Sequence, residues 1–158
     1  MLSFNLSENS FSETFDKPLA FWVMGSGKMA SLVEAECKKH SIPLTMWGDS
    51  PADKMPSMLN CVDVLILPSR NEGLPLIAAE ALACGANAVG AKVGGIPEVM
   101  GEDNTFPHGE NFVEQISNRI VYMLNNSVEQ PLLPCFLWDE TARIENDIYT
   151  DYINQSQK

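Results

Sequence analysis

This chain of 158 residues has few basic residues and no long apolar run. It contains 10 Lys and Arg against 21 Asp and Glu, which gives a formal net charge of −11. Nucleic-acid binding needs a basic face, so we expect no nucleic acid partner. No run of apolar residues approaches the roughly 20 that a membrane-spanning helix needs. The first 18 residues are too polar for a secretory signal, and we expect a cytoplasmic protein.

Cysteine and histidine are too scattered to predict a metal site. His40 and His108 are the only histidines, and neither belongs to a motif of several Cys, His or Asp ligands. The cysteines form no Cys-x-x-Cys pair, and we interpret them as reduced thiols that fill the core: Cys37, Cys61, Cys84 and Cys135. Apolar residues make up 45% of the chain, which is typical of a globular protein.

Strand patterns alternate with helix patterns along the chain. We expect strands at 19–24, 43–47, 62–67, 86–91 and 104–107. We expect helices at 28–40, 53–61, 75–84, 110–125 and 138–153, and the start of a short one within 94–98. This alternation predicts an α/β fold: a Rossmann-like parallel sheet with helices on both faces.

The same patterns divide the chain into a tail and one domain. Residues 1–17 are a polar N-terminal segment, typical of a frayed or cut end. Residues 18–158 are expected to form a single domain, with a linker at 131–134 before the C-terminal helix 138–153. Trp22, Trp47 and Trp138 lie in apolar patterns, and we expect all three in the core.

Glycine-containing turns follow four of the predicted strands. They are Gly25-Ser26-Gly27, Gly48-Asp49-Ser50, Glu72-Gly73-Leu74-Pro75 and Gly94-Gly95. In open parallel sheets, ligands bind beyond the carboxyl ends of the strands. The first turn is not a Walker A motif, because Trp22 replaces its first glycine and Met29 follows Lys28. The residues leave open whether this turn, with Lys28, faces a ligand or only reverses the chain.

Two carboxylates flank the third turn. Glu72 lies in the loop, and Glu80 lies about five residues into the helix that follows. One interpretation is a pocket in which both accept hydrogen bonds from sugar or ribose hydroxyls, while the first amides of the helix meet a diphosphate. The other interpretation is a loop glutamate and a helix-surface glutamate, and the spacing alone does not decide between them.

A longer motif resembles a known family. The motif is Pro68-Ser69-x-x-Glu72-Gly73-x-Pro75-Leu76-x-x-x-Glu80-Ala81-x-Ala83-x-Gly85, followed by Gly94-Gly95-x-Pro97-Glu98. It resembles the C-terminal, donor-binding half of retaining GT-B glycosyltransferases of family 4, over residues 19–153. The resemblance implies one half of a GT-B fold and transfer of a sugar from a nucleotide-sugar donor.

The resemblance also implies roles for individual residues. Glu72 would be the catalytic residue, in contact with the donor sugar near its anomeric carbon, and Glu80 would bind the ribose hydroxyls. The loop Gly48 to Lys54 would receive the nucleobase. The complete set of implied donor-binding residues is Gly25, Gly27, Gly48, Ser50, Lys54, Gly73, Leu74, Pro75, Leu76 and Glu80.

The implied reaction has a UDP- or GDP-linked donor and a glycan or lipid-linked acceptor, and it needs no metal or other cofactor. The implied pathway is bacterial surface polysaccharide or lipopolysaccharide synthesis, with a longer protein that is peripheral at the inner membrane face. The family's first strand and helix, with their Arg and Lys, and its N-terminal acceptor-binding domain have no counterpart in this sequence. We therefore expect little activity from the chain alone. Two alternatives stay open: a non-catalytic nucleotide-sugar-binding subunit, and half of a nucleotide-sugar epimerase.

Overall fold

A computed structural model describes residues 18–156 and contains alternating strands and helices. The strands are β1 (Phe21–Met24), β2 (Leu44–Gly48), β3 (Val64–Leu67), β4 (Asn87–Ala91) and β5 (Thr105–Phe106). The α-helices are α1 (Ala30–Lys39), α2 (Met55–Leu59), α3 (Leu76–Ala83), α4 (Ile96–Met100), α5 (Phe112–Asn126) and α6 (Trp138–Ser156). Short 3₁₀ helices span Ala52–Lys54, Glu102–Asn104 and Pro134–Phe136.

These elements confirm the predicted α/β fold, with parallel sheets flanked by helices. The order and type of every predicted strand and helix are confirmed, and only the ends differ. For example, β1 begins at Phe21 and β3 at Val64, two residues later than predicted, because ladder pairing begins only there. The chain divides into two compact units, Met1–Cys61 (the first unit) and Val62–Lys158 (the second unit).

The first unit contains a two-stranded parallel sheet. Strands β1 and β2 pair with Phe21 opposite Leu44, and α1 connects them. The Trp22 and Trp47 rings meet edge to face, with 5.3 Å between their centroids. They remain 37% and 44% exposed, so their assignment to the core is wrong. Among residues 18–61, the most deeply buried are Met58 and Leu59 of α2.

The second unit contains a three-stranded parallel sheet in the order β3-β4-β5. Four of the five residues of the central strand β4 are buried. The core consists of apolar residues from β4, α3 and α4: Ala78, Leu82, Ala88, Ile96, Val99 and Met100. Helix α5 buries one face, as its pattern predicts, through Phe112, Ile116, Ile120 and Met123.

The stretch around the predicted linker at 131–134 packs against the rest of the second unit. Gln130 accepts a hydrogen bond from the Ala88 backbone N–H at 2.8 Å and donates to the Met100 carbonyl at 2.6 Å. Leu132 and Phe136 pack against the core. This stretch between α5 and α6 therefore makes both polar and apolar contacts with the rest of the second unit.

Helix α6 extends three residues beyond its predicted end at 153 and contacts the Pro134–Phe136 turn. Trp138 at its start is 87% exposed, so the expectation of a core tryptophan is wrong here too. Cys61 and Cys135 are exposed and do not fill the core, and all four cysteines of the chain are free thiols. Within residues 18–156, no helix has both the length and the apolar character needed to cross a membrane.

Candidate functional site

The turn between β3 and α3 (residues 68–75, called the β3–α3 turn or the Glu72 loop) contains Glu72. The Ser69 hydroxyl donates a hydrogen bond to Glu72 Oε1 at 2.7 Å, and Glu72 is half-buried. A hydrogen bond from a hydroxyl to a carboxylate restricts the rotamers of the acidic side chain. The Glu72 side chain therefore has a fixed position in the turn, and its second oxygen has no hydrogen-bonding partner among the described residues.

The glycine pair after β4 packs directly against this turn. The Gly95 N–H donates to the Gly73 carbonyl at 2.7 Å. A Cβ on Gly95 would lie 2.7 Å from that same oxygen, and a Cβ on Gly94 would overlap the Glu72 carbonyl. Only glycines permit this approach of two backbones, which explains why two adjacent glycines follow β4.

Helix α3 begins where the β3–α3 turn ends. Pro75 is its N-cap residue, and Leu76 is its first helical residue. The N–H groups of Leu76 and Ile77 lie in the first turn, where helix geometry provides no acceptor and the helix dipole favours negative charge. Leu74 and Leu76 are 48% and 67% exposed, so the start of the helix is open to solvent.

Glu80 lies on the open side of α3. It is four residues after Leu76, so the two side chains share one face of the helix. Glu80 is exposed, as is Leu76. The structure thus places a carboxylate one helical turn beyond the open N-terminus of α3, with the Glu72 loop preceding that terminus.

The first unit joins the turns that follow β1 and β2. The Gly25 N–H donates to the Gly48 carbonyl at 2.7 Å, and the Ser26 hydroxyl donates to Asp49 Oδ2 at 3.1 Å. Gly27 is exposed, and its carbonyl accepts from the Ala30 N–H at 3.2 Å at the start of α1.

The remaining predicted residues of this unit lie on the loop after Gly48. Ser50 is half-buried, and Lys54 is exposed at the end of the Ala52–Lys54 helix. The structure therefore brings Gly25 and Gly48 together in one unit and places Glu72 and Gly73 against Gly94 and Gly95 in the other.

Two residues of the site region were missed by sequence reasoning. Ser69 belongs to the quoted motif, but nothing in the sequence assigns its hydroxyl to Glu72. His108 Nε2 lies 2.9 Å from the Ser69 carbonyl, although 39 residues separate the two in sequence. In the described part of the chain, no group of three or more His, Cys, Asp or Glu residues is arranged to hold a metal ion.

Comparison with known proteins identifies the family. The family model for glycosyl transferases group 1 matches residues 9–126. The chain belongs to this family. The match includes both glycine turns of each unit and the two glutamates of the β3–α3 region.

Named relatives of the chain are glycosyltransferases. An uncharacterized glycosyltransferase of Methanocaldococcus jannaschii is 26% identical over 108 residues, which are 67% of this chain and 31% of that protein. The D-inositol 3-phosphate glycosyltransferase of Segniliparus rotundus is 32% identical over 49% of this chain and 18% of its own length. The 2-deoxystreptamine N-acetyl-D-glucosaminyltransferase of Streptomyces fradiae is 36% identical over 51% of this chain and 20% of its own length.

Solved structures show the same fold. Sucrose-phosphate synthase from Thermosynechococcus elongatus superposes with a TM-score of 0.62 at 19% identity, over 85% of this chain and 38% of that one. A pneumococcal O-GlcNAc transferase in complex with UDP and GlcNAc superposes with a TM-score of 0.53 at 21% identity, over 68% of this chain and 23% of that one. These neighbours are GT-B glycosyltransferases. The chain spans 38% or less of each of these relatives.

Proposed function

We propose that this chain is the donor nucleotide-sugar-binding half of a retaining glycosyltransferase. The observation that carries the proposal is the Glu72 loop, which is held by Ser69 and by the glycine pair directly before the open start of α3. Two carboxylates can accept hydrogen bonds from hydroxyls: Glu72 in the turn and Glu80 on α3. The amides of Leu76 and Ile77, in the first turn of α3, can donate to a phosphate.

In the proposed complex, the β3–α3 turn binds the diphosphate and the sugar. Backbone N–H groups near Leu74, Leu76 and Ile77 donate to phosphate oxygens, assisted by the dipole of α3. Glu72 accepts from sugar hydroxyls near the anomeric carbon, and Gly73 and Pro75 line the sugar and diphosphate. The chemical contribution of this half is to hold the donor and to stabilise the departing diphosphate.

The nucleoside end of the donor is assigned to the remaining predicted residues. Glu80 accepts from the ribose hydroxyls, and the loop Gly48 to Lys54, including Ser50, receives the nucleobase. Gly25 and Gly27 flank the nucleotide. The donor in this proposal is UDP- or GDP-linked and is bound without a metal ion, so chelation of divalent cations should leave the affinity unchanged.

The complete enzyme needs an acceptor-binding half in this proposal. Since the chain spans 38% or less of its named relatives, we expect it to transfer little sugar alone. The named relatives share sugar transfer but differ in acceptor, for example D-inositol 3-phosphate and 2-deoxystreptamine. A glycan or lipid-linked acceptor, in bacterial surface polysaccharide or lipopolysaccharide synthesis at the cytoplasmic membrane face, is proposed on the family resemblance.

A calorimetric binding panel tests this proposal. UDP-, GDP- and ADP-sugars are titrated into the wild-type chain, into Glu80→Ala and into Glu114→Ala. Glu114 is the matched control, because it is an exposed glutamate in the first turn of another helix, α5. We expect one nucleotide class to bind, and Glu80→Ala to weaken it by about 1–3 kcal/mol through the loss of a charged hydrogen bond.

The control should retain wild-type affinity. Unchanged binding in a folded Glu80→Ala variant would refute the ribose role of Glu80. Absence of binding for all three nucleotide classes would refute the donor-binding function itself.

A further inference from the structure

His108 connects the loop before α5 to the Glu72 loop. Its Nε2 lies 2.9 Å from the Ser69 carbonyl oxygen. A carbonyl can only accept a hydrogen bond, so Nε2 carries the proton in this contact. The bond fixes the backbone of Ser69, which is three residues before Glu72.

The other side of the His108 ring is fixed by packing. The ring centroid lies 4.4 Å from that of Phe112, with 45° between the planes. Phe112 is 4% exposed and begins α5. The imidazole therefore packs against a buried residue, although His108 itself is exposed. This packing orients the Nε2–H toward the Ser69 carbonyl.

Ser69 transmits this contact to the carboxylate. Its backbone carbonyl accepts from His108, and its hydroxyl donates to Glu72 Oε1 at 2.7 Å. The Glu72 loop is thus held at two points: Ser69 is bonded to His108, and the Gly73 carbonyl accepts from the Gly95 N–H at 2.7 Å.

We propose that His108 is a positioning residue that holds the Glu72 loop through the Ser69 carbonyl. It touches neither donor nor acceptor in this account and acts by fixing the carboxylate before a donor arrives. The effect of His108 on donor affinity rests on the proposed function. The effect of His108 on the order of the Glu72 loop is independent of that function. Nothing in the sequence motif points to residue 108.

Two substitutions separate the N–H donor from the ring. His108→Phe keeps an aromatic ring to pack on Phe112 but removes the donor. His108→Gln removes the ring but places an amide N–H at about the reach of Nε2. If the hydrogen bond holds the loop, His108→Gln should retain the order of the loop and His108→Phe should reduce it. If only the packing of the ring holds the loop, His108→Phe should retain the order and His108→Gln should reduce it.

The readout is amide hydrogen exchange at Gly95, whose acceptor is the Gly73 carbonyl of the held loop. The reference is the Asn87 amide, which donates to the Asp63 carbonyl at 2.9 Å at the opposite end of the β3–β4 pair. His108→Phe should accelerate exchange at Gly95 by about 2- to 10-fold, the effect of one lost hydrogen bond, and leave Asn87 unchanged. His108→Gln should stay within about twofold of wild type at both amides.

Three outcomes would overturn the inference: unchanged exchange at Gly95 in His108→Phe, equal acceleration at both amides, or equal acceleration at Gly95 in both variants. Titration of UDP-glucose and GDP-mannose, run in parallel, should show about a 2- to 10-fold weaker affinity for His108→Phe and a retained one for His108→Gln. If the wild-type chain binds none of the UDP-, GDP- and ADP-sugars of the panel above, the proposed function fails while the exchange data still decide the role of His108. Weaker donor binding in His108→Phe with unchanged exchange at Gly95 would indicate that His108 contacts the donor directly, which contradicts a positioning role.

Discussion

Gly94 lies so close to Glu72 that a Cβ on Gly94 would overlap the Glu72 carbonyl. Gly94 also has φ of +52°, a backbone conformation that side-chain-bearing residues rarely adopt. The turn after β4 and the turn after β3 therefore fit together only while this position is glycine. The contact joins two adjacent strand ends into one support for the Glu72 carboxylate.

Replacement of Gly94 by alanine should disturb both turns. The left-handed conformation alone costs about 1–2 kcal/mol, and the overlap forces a backbone shift in addition. We expect Gly94→Ala to lower the free energy of unfolding by at least about 2 kcal/mol in chemical denaturation. Gly109→Ala is the control, because its added Cβ meets nothing within 4 Å. Equal effects of the two substitutions would contradict the close approach.

Removal of the Ser69 hydroxyl should affect the sugar more than the nucleotide. Ser69→Ala leaves Glu72 without its donor and frees its rotamers. We expect the affinity for a UDP- or GDP-sugar to fall by about 2- to 10-fold and that for the free nucleoside diphosphate to change by less than about twofold. Calorimetry with both ligands measures this, with Ser57→Ala on the exposed side of α2 as control. An equal loss for both ligands would place Glu72 away from the sugar.

Acid should weaken helix α6 through its ion pairs. Arg143 donates to Glu140 at 2.6 Å and to Asp147 at 2.9 Å, and its guanidinium lowers the pKa of the Glu140 carboxyl, mainly through the hydrogen bond. A lowered folded pKa means that the stabilisation is present above the unfolded pKa and is lost as the pH falls through the folded one. The ¹³Cα shifts of Ile144 and Ile148 should therefore lose helical character on acidification.

Arg143→Gln should show a smaller acid-dependent change at these carbons, because the two carboxylates no longer have a cationic partner. An identical pH profile in the variant would show that other groups cause the acid response.

The Cys37 thiol should react more slowly than the two exposed thiols. Burial, with the neighbouring Glu36 carboxylate as a second cause, raises the pKa of the Cys37 thiol. Less thiolate is then present at a given pH, and the thiolate is the reactive form. Iodoacetamide at pH 8, followed by peptide mass spectrometry, should modify the exposed Cys61 and Cys135 before Cys37. Faster modification of Cys37 would contradict this order.

The sequence predicted local features well and distant contacts poorly. Helical spacing predicts the apolar face of α5, from Phe112 to Met123. The positions of the glycine turns are predicted from the ends of the strands. Apolar spacing predicts Trp138 in the core, but it does not reveal which face of the helix finds a partner, and Trp138 is 87% exposed. The β3–α3 motif points to Glu72, but the hydrogen bond between Glu72 and Ser69 depends on the geometry of the turn. The contact between His108 and Ser69 depends on packing between residues that are 39 positions apart in sequence.

The most direct test of the donor-binding account is an NMR titration of the ¹⁵N-labelled chain with UDP and GDP. The account predicts saturable shifts, for at least one of the two, of the amides of Leu74, Leu76 and Ile77, at the open start of α3, and of Gly25 and Gly48. Saturable shifts that spare Leu74, Leu76 and Ile77, or no saturable shifts with either nucleotide, would contradict it.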